Sequence, residues 1–395
     1  MPKILLHGVI PENNFGGPSL MHGAREIIKE VNNNYEIVFY HSSEPVDISV
    51  NDMEFKVYRI PYKGAFELLK DAFKYKFGIR PKKEEQYKFF EEIKNSDIVA
   101  NLYGICFCSN FGKGKYSYIR AIMLAIGQFP ISFIAKMFGV KSVKCTASYG
   151  PIESKMDMIS ARFSSKHIFN VMVARETESK MQLEKVTKKN ITVSPDLANL
   201  MPYTYNSTIK NLKTIGISVS HQIIRQWKSD EKYIDCMVNL IEHINSSTDR
   251  KVVLIPNEII GTYHDIHVAE EIKSLLKSKD DVEILDVANM SSSDLKNHIA
   301  SYDIMIASRY HSCVAALSAG VPTLIIGWHH KYDELLKWYG QSQWILSSKD
   351  CSTDKLITLF DKFWNKKEEN RSIIKEQYSA VRKTLIDAGK EMFTV

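Results

Sequence analysis

The chain has 395 residues, of which 44 % are hydrophobic and 25 % are charged. This composition is typical of a globular protein with about two or three domains, and it excludes a disordered tail, a collagen-like fibre and a disulfide miniprotein. The formal net charge of +6 is mild, and no basic stripe of the kind that binds nucleic acid is present. The six cysteines are scattered without zinc-type spacing, so we expect reduced thiols and no metal site.

The first half of the chain alternates short β-branched runs with longer helical patterns. We predict strands at residues 4–9, 35–40, 55–60, 97–102, 141–145, 171–174 and 191–193, with helices such as 19–31 and 84–94 between them. A polar, turn-rich stretch at 199–212 interrupts this rhythm and indicates a linker. Alternation of strands and helices predicts parallel strands joined by crossover helices.

The same rhythm resumes after the linker. Predicted strands lie at 213–219, 251–256, 282–285, 303–307 and 323–326, predicted helices at 230–244, 266–276, 294–300 and 311–319, and a charged helical segment at 354–390. The expected fold class is therefore α/β, with two doubly wound, Rossmann-like domains that face each other across a cleft. We place the first domain at 1–205 and the second at 206–395, whose final helix could pack back on the first. Ligands of such sheets bind beyond the carboxyl ends of the strands.

The apolar segments decide what we expect of membrane contact. The N-terminal run is too short for a signal peptide. The longest apolar stretch, 121–134, is shorter than the about 20 residues that span a bilayer. We therefore expect a cytoplasmic protein. The basic, amphipathic pattern of residues 66–83 leaves two interpretations open: a helix packed on its own domain, or peripheral contact with an anionic membrane at its inner face.

The segment from Ser308 to Pro322 carries the clearest chemical pattern in the chain. Ser308, Arg309 and His311 follow a predicted strand directly and open a helix of small residues. The free N–H groups and the positive dipole end of that helix point to the same place. A guanidinium and an imidazole beside a helix N-terminus form an anion site. The alternative is a surface ion pair plus a helix cap.

A second charged segment follows the next predicted strand. Lys331 either reaches the same anion or opens a solvated helix. The adjacent His329 and His330 have no acidic residue at ligand spacing, and neighbours in an extended loop point apart, so we predict that they bind no metal.

The first half offers two further charged candidates. Arg175 follows the predicted strand 171–174, so it either faces the cleft or pairs with Glu176 or Glu178. Glu153 lies in the loop after an earlier strand and is a candidate carboxylate of the cleft. Both positions come from the rule that ligands collect at the carboxyl ends of parallel strands.

The loop between the first strand and the first helix contains Asn14, Gly16, Gly17 and Ser19. The two glycines allow a close approach of the backbone to another group, and Ser19 is a plausible helix cap. No Gly-x-Gly-x-x-Gly spacing is present. A dinucleotide fingerprint is therefore absent from the sequence.

Taken together, these residues resemble the polysaccharide pyruvyl transferase family. The resemblance is sharpest from Ser308-Arg309-Tyr310-His311 to Gly320-Val321-Pro322, with Lys331 behind it. Weaker matches are Asn14-Phe15-Gly16, Arg175-Glu176 with Ser179, Pro195-Asp196 and Ile255-Pro256. Three positions depart from the family pattern: Gly16-Gly17 where Gly-Asp is common, Gly104-Ile105-Cys106-Phe107 at a glycine-rich turn, and Asp196-Leu197 in place of Asp-Pro.

The resemblance implies a GT-B-like enzyme that moves the pyruvyl group of phosphoenolpyruvate onto a saccharide, which could be lipid-linked, as a cyclic ketal. It implies phosphoenolpyruvate as the donor and no cofactor, with the donor bound by the second domain and the acceptor by the first. Arg309 and His311 would then hold the phosphate, and Arg175 the carboxylate. His311 is the first candidate for proton transfer and Glu153 the second. Further substrate contacts are expected from Ser308, Tyr310, Lys331, Asn14, Gly16, Gly17 and Ser19.

Two alternatives remain at this stage. A glycosyltransferase with a nucleotide-sugar donor would need a carboxylate for the ribose, and Asp333 or Glu334 are the candidates. A non-catalytic glycan-binding protein is the other alternative. The pyruvyl transferase hypothesis itself requires that Arg309 and His311 are not already neutralised by neighbouring acids.

Overall fold

The structure is a computed structural model that describes residues 1–10, 15–42, 56–108, 117–204, 213–258 and 264–395. The chain forms two compact units. Unit 1 comprises Met1–Pro11, Ala24–Leu197 and Thr384–Val395, and unit 2 comprises Glu12–Gly23 and Ala198–Lys383. The chain thus changes unit at Leu197, a few residues before the predicted boundary, and its C-terminal residues belong with the first unit.

Unit 1 is built on a parallel sheet. Its strands are β1 (Lys3–His7), β2 (Glu36–His41), β3 (Lys56–Arg59), β4 (Ile98–Asn101), β5 (Ile105–Cys106), β6 (Lys141–Tyr149), β7 (Val171–Ala174) and β8 (Thr192–Val193). Their order is β3-β2-β1-β4-β6-β7-β8, and the short β5 pairs with the end of β6. The order reverses between β1 and β4, which makes this the switch point of a doubly wound sheet.

The helices of the first half cover that sheet. They are α1 (Gly16–Val31), α2 (Ala65–Lys76), α3 (Glu84–Lys94), α4 (Tyr118–Gln128), α5 (Pro130–Met137), α6 (Lys155–Phe163) and α7 (Thr177–Thr187). The predicted basic helix at 66–83 is shorter than expected, because α2 ends at Lys76 and Gly78 follows with φ +84°. A glycine in this left-handed conformation stops a helix at little steric cost.

Unit 2 has its own parallel sheet. Its strands are β9 (Thr214–Ser218), β10 (Lys251–Ile255), β11 (Val282–Ile284), β12 (Ile304–Ala307), β13 (Thr323–Gly327) and β14 (Ile345–Ser347), in the order β11-β10-β9-β12-β13-β14. The switch point lies between β9 and β12. The last strand predicted from sequence corresponds to β13, and the three-residue β14 was not predicted.

The remaining helices run from the first strand of unit 2 to the C-terminus. They are α8 (His221–Gln226), α9 (Tyr233–Ser247), α10 (Asp265–Leu275), α11 (Ser292–Ala300), α12 (Tyr310–Ser318), α13 (Lys331–Trp338), α14 (Thr353–Asn365) and α15 (Lys367–Phe393). The end of α15 lies in unit 1, where Lys141 Nζ donates to the Glu391 carbonyl at 3.1 Å and Gly389 faces Ile27.

Both cores follow from the strand sequences. β9, β10 and β12 are apolar along most of their length, as expected of parallel strands covered on both faces. Their side chains pack with α9, α10 and α14 in the core of unit 2. Within the described residues no single helix is long and apolar enough to cross a bilayer, and only α4 and α5 together, bent by 93°, reach that composition.

Candidate active site

The switch point of unit 2 brings two loops together at one edge of the sheet. β9 and β12 are hydrogen-bonded neighbours, and the backbone N–H of Ser308 donates to the carbonyl of Ser218 at 3.0 Å. Ser218 Oγ donates to Ser312 Oγ at 2.9 Å, and Asn257 Nδ2 donates to the same hydroxyl at 2.6 Å. This buried network fixes the first turn of α12 above the strand ends.

α12 begins with an extended cap residue, Arg309, whose side chain makes no capping hydrogen bond. Ser308 is buried beneath it, and its carbonyl accepts a hydrogen bond from the Tyr332 hydroxyl at 2.9 Å. The first-turn N–H groups therefore keep the positive end of the helix dipole at this edge. The sequence predicted this helix start, and the structure brings Ser308, Arg309, Tyr310 and His311 together there.

His311 lies against the first helix of the chain. A Cβ atom placed on Gly16 would be 2.5 Å from His311 Nδ1 and 2.6 Å from its Cε1. Because real Cβ contacts are longer than this, only glycine fits here without moving the imidazole. Two residues that the sequence offered separately, Gly16 and His311, thus meet within unit 2. The Nε2 atom of His311 is shielded from solvent.

The loop before α1 differs in detail from the prediction. The helix begins at Gly16 rather than Ser19, so Gly17 lies in its first turn. Ser19 is inside the helix and donates its hydroxyl to the Phe15 carbonyl at 2.6 Å, which corrects its predicted role as a cap. Ser292 donates to the same carbonyl at 3.0 Å and so ties the loop to α11. Asn14 lies outside the described residues.

Arg309 is held by acidic residues. Its Nε and Nη2 atoms donate to the two oxygens of Asp265 at 2.8 and 2.6 Å. Nη2 also donates to Glu258 at 2.7 Å and lies 3.0 Å from His221 Nδ1. Asp265 accepts further hydrogen bonds from the backbone N–H groups of His221 and Glu258. The guanidinium is therefore the centre of a built network rather than a free cation.

This network corrects the expectation that Arg309 is not neutralised. Burial alone would lower the pKa of Arg309, but the hydrogen bonds and charges of Asp265 and Glu258 raise it. Burial alone would raise the pKa of Asp265, and Arg309 outweighs it and lowers that pKa. Both groups are therefore charged at neutral pH. Only Nη1 of the guanidinium has no acceptor among the described residues, so this atom alone is left for a ligand.

The acids around Arg309 also have the arrangement of a metal site. The ligand atoms of His221, Glu258 and Asp265 all lie within 4.8 Å of one another. Arg309 Nη2 lies within hydrogen-bond distance of all three residues. The guanidinium thus occupies the position in which such a cluster would hold a cation.

Lys331 begins α13 and lies among aromatic rings. Its Nζ atom is 5.2 Å from the ring centre of Tyr310, 4.8 Å from that of Trp328 and 5.4 Å from that of Tyr332. An ammonium over such ring faces gains cation–π energy. Only 9 % of Lys331 is exposed, which excludes the solvated helix start. Its charge adds to the positive field of unit 2 near Tyr310.

Arg175 lies at the corresponding edge of unit 1, and each nitrogen of its guanidinium has an acceptor. Nε donates to Glu176 at 3.0 Å, Nη1 to Asp196 at 2.6 Å and Nη2 to Ser148 at 2.5 Å. The side chain is 4 % exposed. Burial raises the pKa of Glu176, but Arg175 and two serine hydroxyls more than reverse this. The geometry favours the pairing alternative over a grip on a substrate carboxylate.

Three further titratable groups of unit 1 are Glu153, Lys144 and His7. Glu153 is exposed in the loop after β6. Sequence reasoning missed Lys144, which is fully buried in β6 and donates to the carbonyls of Tyr103 and Asn101 at 2.5 and 3.5 Å. Burial, with the positive Lys144 nearby, lowers the pKa of His7 to about 3. A lysine inside a predicted buried strand was the available signal.

Sequence reasoning also missed the acids that hold Arg309. Glu258 comes three residues after the end of β10, and Asp265 opens α10. The rule that polar residues after parallel strands share one edge would have found Glu258. The same rule applies to His221, which comes three residues after the end of β9. Asp265 carries no such signal, because it approaches Arg309 only through the fold.

Two doubly wound parallel sheets and a polar site at the carboxyl edge of the second define a GT-B-like α/β protein. Solved structures with this fold include a UDP-N-acetylglucosamine 2-epimerase (TM-score 0.60, 12 % identity, 98 % of this chain and 94 % of that chain). Another is Anabaena HepE in complex with UDP and glucose (0.59, 11 %, 99 % and 98 %). A third is the UDP-GlcNAc 2-epimerase of Methanocaldococcus jannaschii (0.56, 11 %, 91 % and 92 %). These likenesses confirm the fold class.

The sequence identifies the family within that class. The model of the polysaccharide pyruvyl transferase family matches residues 14–330, a span that ends just before α13. This chain therefore belongs to the polysaccharide pyruvyl transferase family, as the resemblance predicted. No curated protein matches the chain significantly in sequence.

Proposed function

We propose that this protein transfers the pyruvyl group of phosphoenolpyruvate to two hydroxyls of a saccharide, forming a cyclic ketal and releasing phosphate. The observation that carries the proposal is membership of the pyruvyl transferase family over residues 14–330. The site of unit 2 supports it, because its groups suit a small anionic donor. A lipid-linked saccharide is the acceptor that we propose.

The donor phosphate would lie at the N-terminus of α12. The first-turn N–H groups and the ammonium of Lys331 supply positive charge there, and the His311 imidazole lies in the same first turn. Arg309 would add no net charge there, because Asp265 and Glu258 already balance its charge. The condition that Arg309 is not neutralised therefore fails, and the grip of its guanidinium on the phosphate, expected from sequence, is given up. The proposal rests instead on the family match and on the groups around His311.

The reaction needs one proton donor and one proton acceptor. A proton added to the methylene carbon of phosphoenolpyruvate makes the adjacent carbon cationic, and a saccharide hydroxyl attacks it and loses its proton. The carbon–oxygen bond to phosphate then breaks, and a second hydroxyl closes the ketal and loses its own proton. We assign the first proton transfer to His311, whose ring is fixed against Gly16. The cationic groups of the site supply the field that stabilises the leaving phosphate.

The proposal gives Arg175 no contact with the substrate. Its guanidinium is fully engaged by Glu176, Asp196 and Ser148. The carboxylate of phosphoenolpyruvate therefore has no assigned partner in unit 1, and Arg309 Nη1 is the group we propose for it if the phosphate takes the helix N-terminus.

The direct test is an assay of the purified protein with phosphoenolpyruvate and a panel of free, pyrophosphate-linked and lipid-linked saccharides. We expect phosphate release that depends on the saccharide, together with a mass gain of one pyruvate ketal on the product. A matched reaction with UDP-sugars serves as the control. Sugar transfer from the nucleotide would establish the glycosyltransferase alternative. Saccharide binding without turnover of either donor would establish a glycan-binding protein.

A further inference from the structure

α2 presents a stripe of phenylalanines to solvent. Phe66, Phe73 and Phe77 are 81 %, 47 % and 79 % exposed. They are seven and four residues apart, so they lie on one face of the helix. Leu68 and Ala72 face the core and are buried. The helix therefore already has its core-facing side, and the phenylalanine stripe is a second apolar side that stays largely exposed.

The net charge of the protein is concentrated at the same place. Residues 63–83 contain seven lysines and arginines and two acids, which gives 7 − 2 = +5. The whole chain carries 52 − 46 = +6, so the other 374 residues together carry 45 − 44 = +1. A surface that holds most of the net charge and three exposed phenylalanines has the chemistry of an interfacial helix.

The basic groups that flank the stripe are only partly neutralised. Arg80 pairs with Glu84 at 2.6 Å, on the side of α3. Lys74 lies 3.9 Å from Asp71, a long contact between an exposed ammonium and a half-buried carboxylate. Lys70 and Lys76 make no ion pair with any described residue. Lys70 lies one turn after Phe66, between it and Phe73, so positive charge lies within the stripe itself.

A second apolar helix lies next to the same support. Phe73 contacts Phe133 of α5 with a ring-centre distance of 6.5 Å, and α4 leads directly into α5. On α4, Ile119 and Met123 are 70 % and 64 % exposed. The apolar exposure is therefore a property of two helices beside α5 rather than of one isolated side chain.

We propose that the α2 surface, defined by Phe66, Phe73, Phe77 and the lysines at 70, 74 and 76, binds the surface of an anionic lipid bilayer. The phenylalanines enter the boundary between headgroups and acyl chains, and the lysines attract the anionic headgroups. Charge complementarity favours a bilayer over a second copy of this chain. An anionic bilayer offers negative headgroups and an apolar interior together, whereas a second copy would place one segment of net charge +5 against another. The proposal does not depend on the proposed function, since it concerns binding only.

The test uses the full chain and vesicles of phosphatidylcholine with or without about 30 % phosphatidylglycerol, read by co-sedimentation. We expect binding to the anionic vesicles that high salt reverses. A Lys70→Gln, Lys74→Gln, Lys76→Gln variant should bind about a hundredfold more weakly, from about a fivefold loss for each charge. A Phe66→Ser, Phe77→Ser variant should lose about tenfold or more.

Matched controls change the same chemistry elsewhere. Lys277→Gln, Lys279→Gln and Lys349→Gln together remove three exposed charges of unit 2, and Met181→Ser with Leu275→Ser removes two apolar groups that are 53 % and 54 % exposed. Both controls should bind vesicles as the natural chain does. Far-UV circular dichroism and the melting temperature check that the variants fold. We expect them to fold, because the substituted side chains lie at the surface.

Four results would overturn the proposal. They are no binding of the natural chain to anionic vesicles, equal binding to neutral ones, equal loss in the matched controls, and undiminished binding of both α2 variants. A fifth result would also overturn it. If light scattering gives the mass of a dimer for the natural chain and of a monomer for the Phe66→Ser, Phe77→Ser variant, the α2 surface binds a second copy of the chain instead.

Discussion

The carboxyl edges of the two sheets each carry an arginine directly after a buried strand, and the two arginines have different surroundings. Arg175 in unit 1 is 4 % exposed, and each guanidinium nitrogen donates to a neighbour. Arg309 in unit 2 is 19 % exposed, its Nη1 has no acceptor in the described part of the chain, and His311 lies two residues further on. Position after a strand predicts where an arginine lies, whereas its acceptors indicate what it can do. We therefore expect Arg175 to matter for folding and the Arg309–His311 edge to matter for catalysis.

The largest expected effect separates the two edges by stability. Arg175→Met leaves Glu176 and Asp196 buried without their cation, which should lower the free energy of unfolding by about 3–5 kcal/mol. Arg309→Met should cost less, about 1.5–3 kcal/mol, because Asp265 keeps its backbone donors. Urea unfolding of both variants measures the difference. An equal or reversed order would contradict the structural role of Arg175.

The next effect concerns turnover. His311→Asn keeps a polar side chain of smaller size but removes the proton-transfer group, so phosphate release should fall about 10²–10³-fold. The melting temperature of His311→Asn should differ from that of the natural chain by no more than the melting temperature of a variant at an exposed position does. Turnover close to that of the natural chain would remove His311 from the proposed mechanism.

A smaller effect tests how His311 is positioned. Gly16→Ala places a methyl group 2.5 Å from the original position of Nδ1, so the imidazole must move. A displacement of about 1 Å costs up to about a hundredfold in rate, and we expect a loss of about ten- to a hundredfold in kcat with a small change in stability. Gly104→Ala is the matched control, since a Cβ there meets only Arg175 Nη1 at 3.8 Å. Equal losses in the two variants would argue against the contact with His311.

A last effect, seen in the pH dependence of stability, extends the comparison to a buried lysine with one hydrogen-bond acceptor among the described residues. Burial lowers the pKa of Lys296 to about 7, and its Nζ donates to the Met201 carbonyl at 2.6 Å. Between about pH 7 and the ordinary lysine pKa near 10.4, the unfolded chain binds this proton and the folded chain does not, so stability should rise with pH. The natural chain should gain up to about 1.4 kcal/mol per pH unit relative to Lys296→Met. A difference that stays constant across this window would contradict the low pKa.

The fold was largely accessible from sequence, and the limits have physical causes. β7 and α3 occur where the pattern placed them, because an apolar run and a helical repeat are local signals. β5 and β14 have two and three residues, too few to show a period. The residues of the site likewise divide into those that a local sequence signal predicts and those that it does not. Post-strand position located Arg309 and would also have located Glu258. Asp265 opens α10, and no local pattern records its contact with Arg309.

The central claim is that phosphoenolpyruvate binds at the edge of unit 2 through His311 and the N-terminus of α12. The most direct measurement is the Kd for phosphoenolpyruvate by titration calorimetry, for the natural chain, His311→Ala and Lys185→Ala as an exposed control. Loss of a charge-assisted contact of about 1.5–3 kcal/mol should weaken binding by His311→Ala at least tenfold, while the control binds as before. An unchanged Kd for a folded His311→Ala protein would contradict the account.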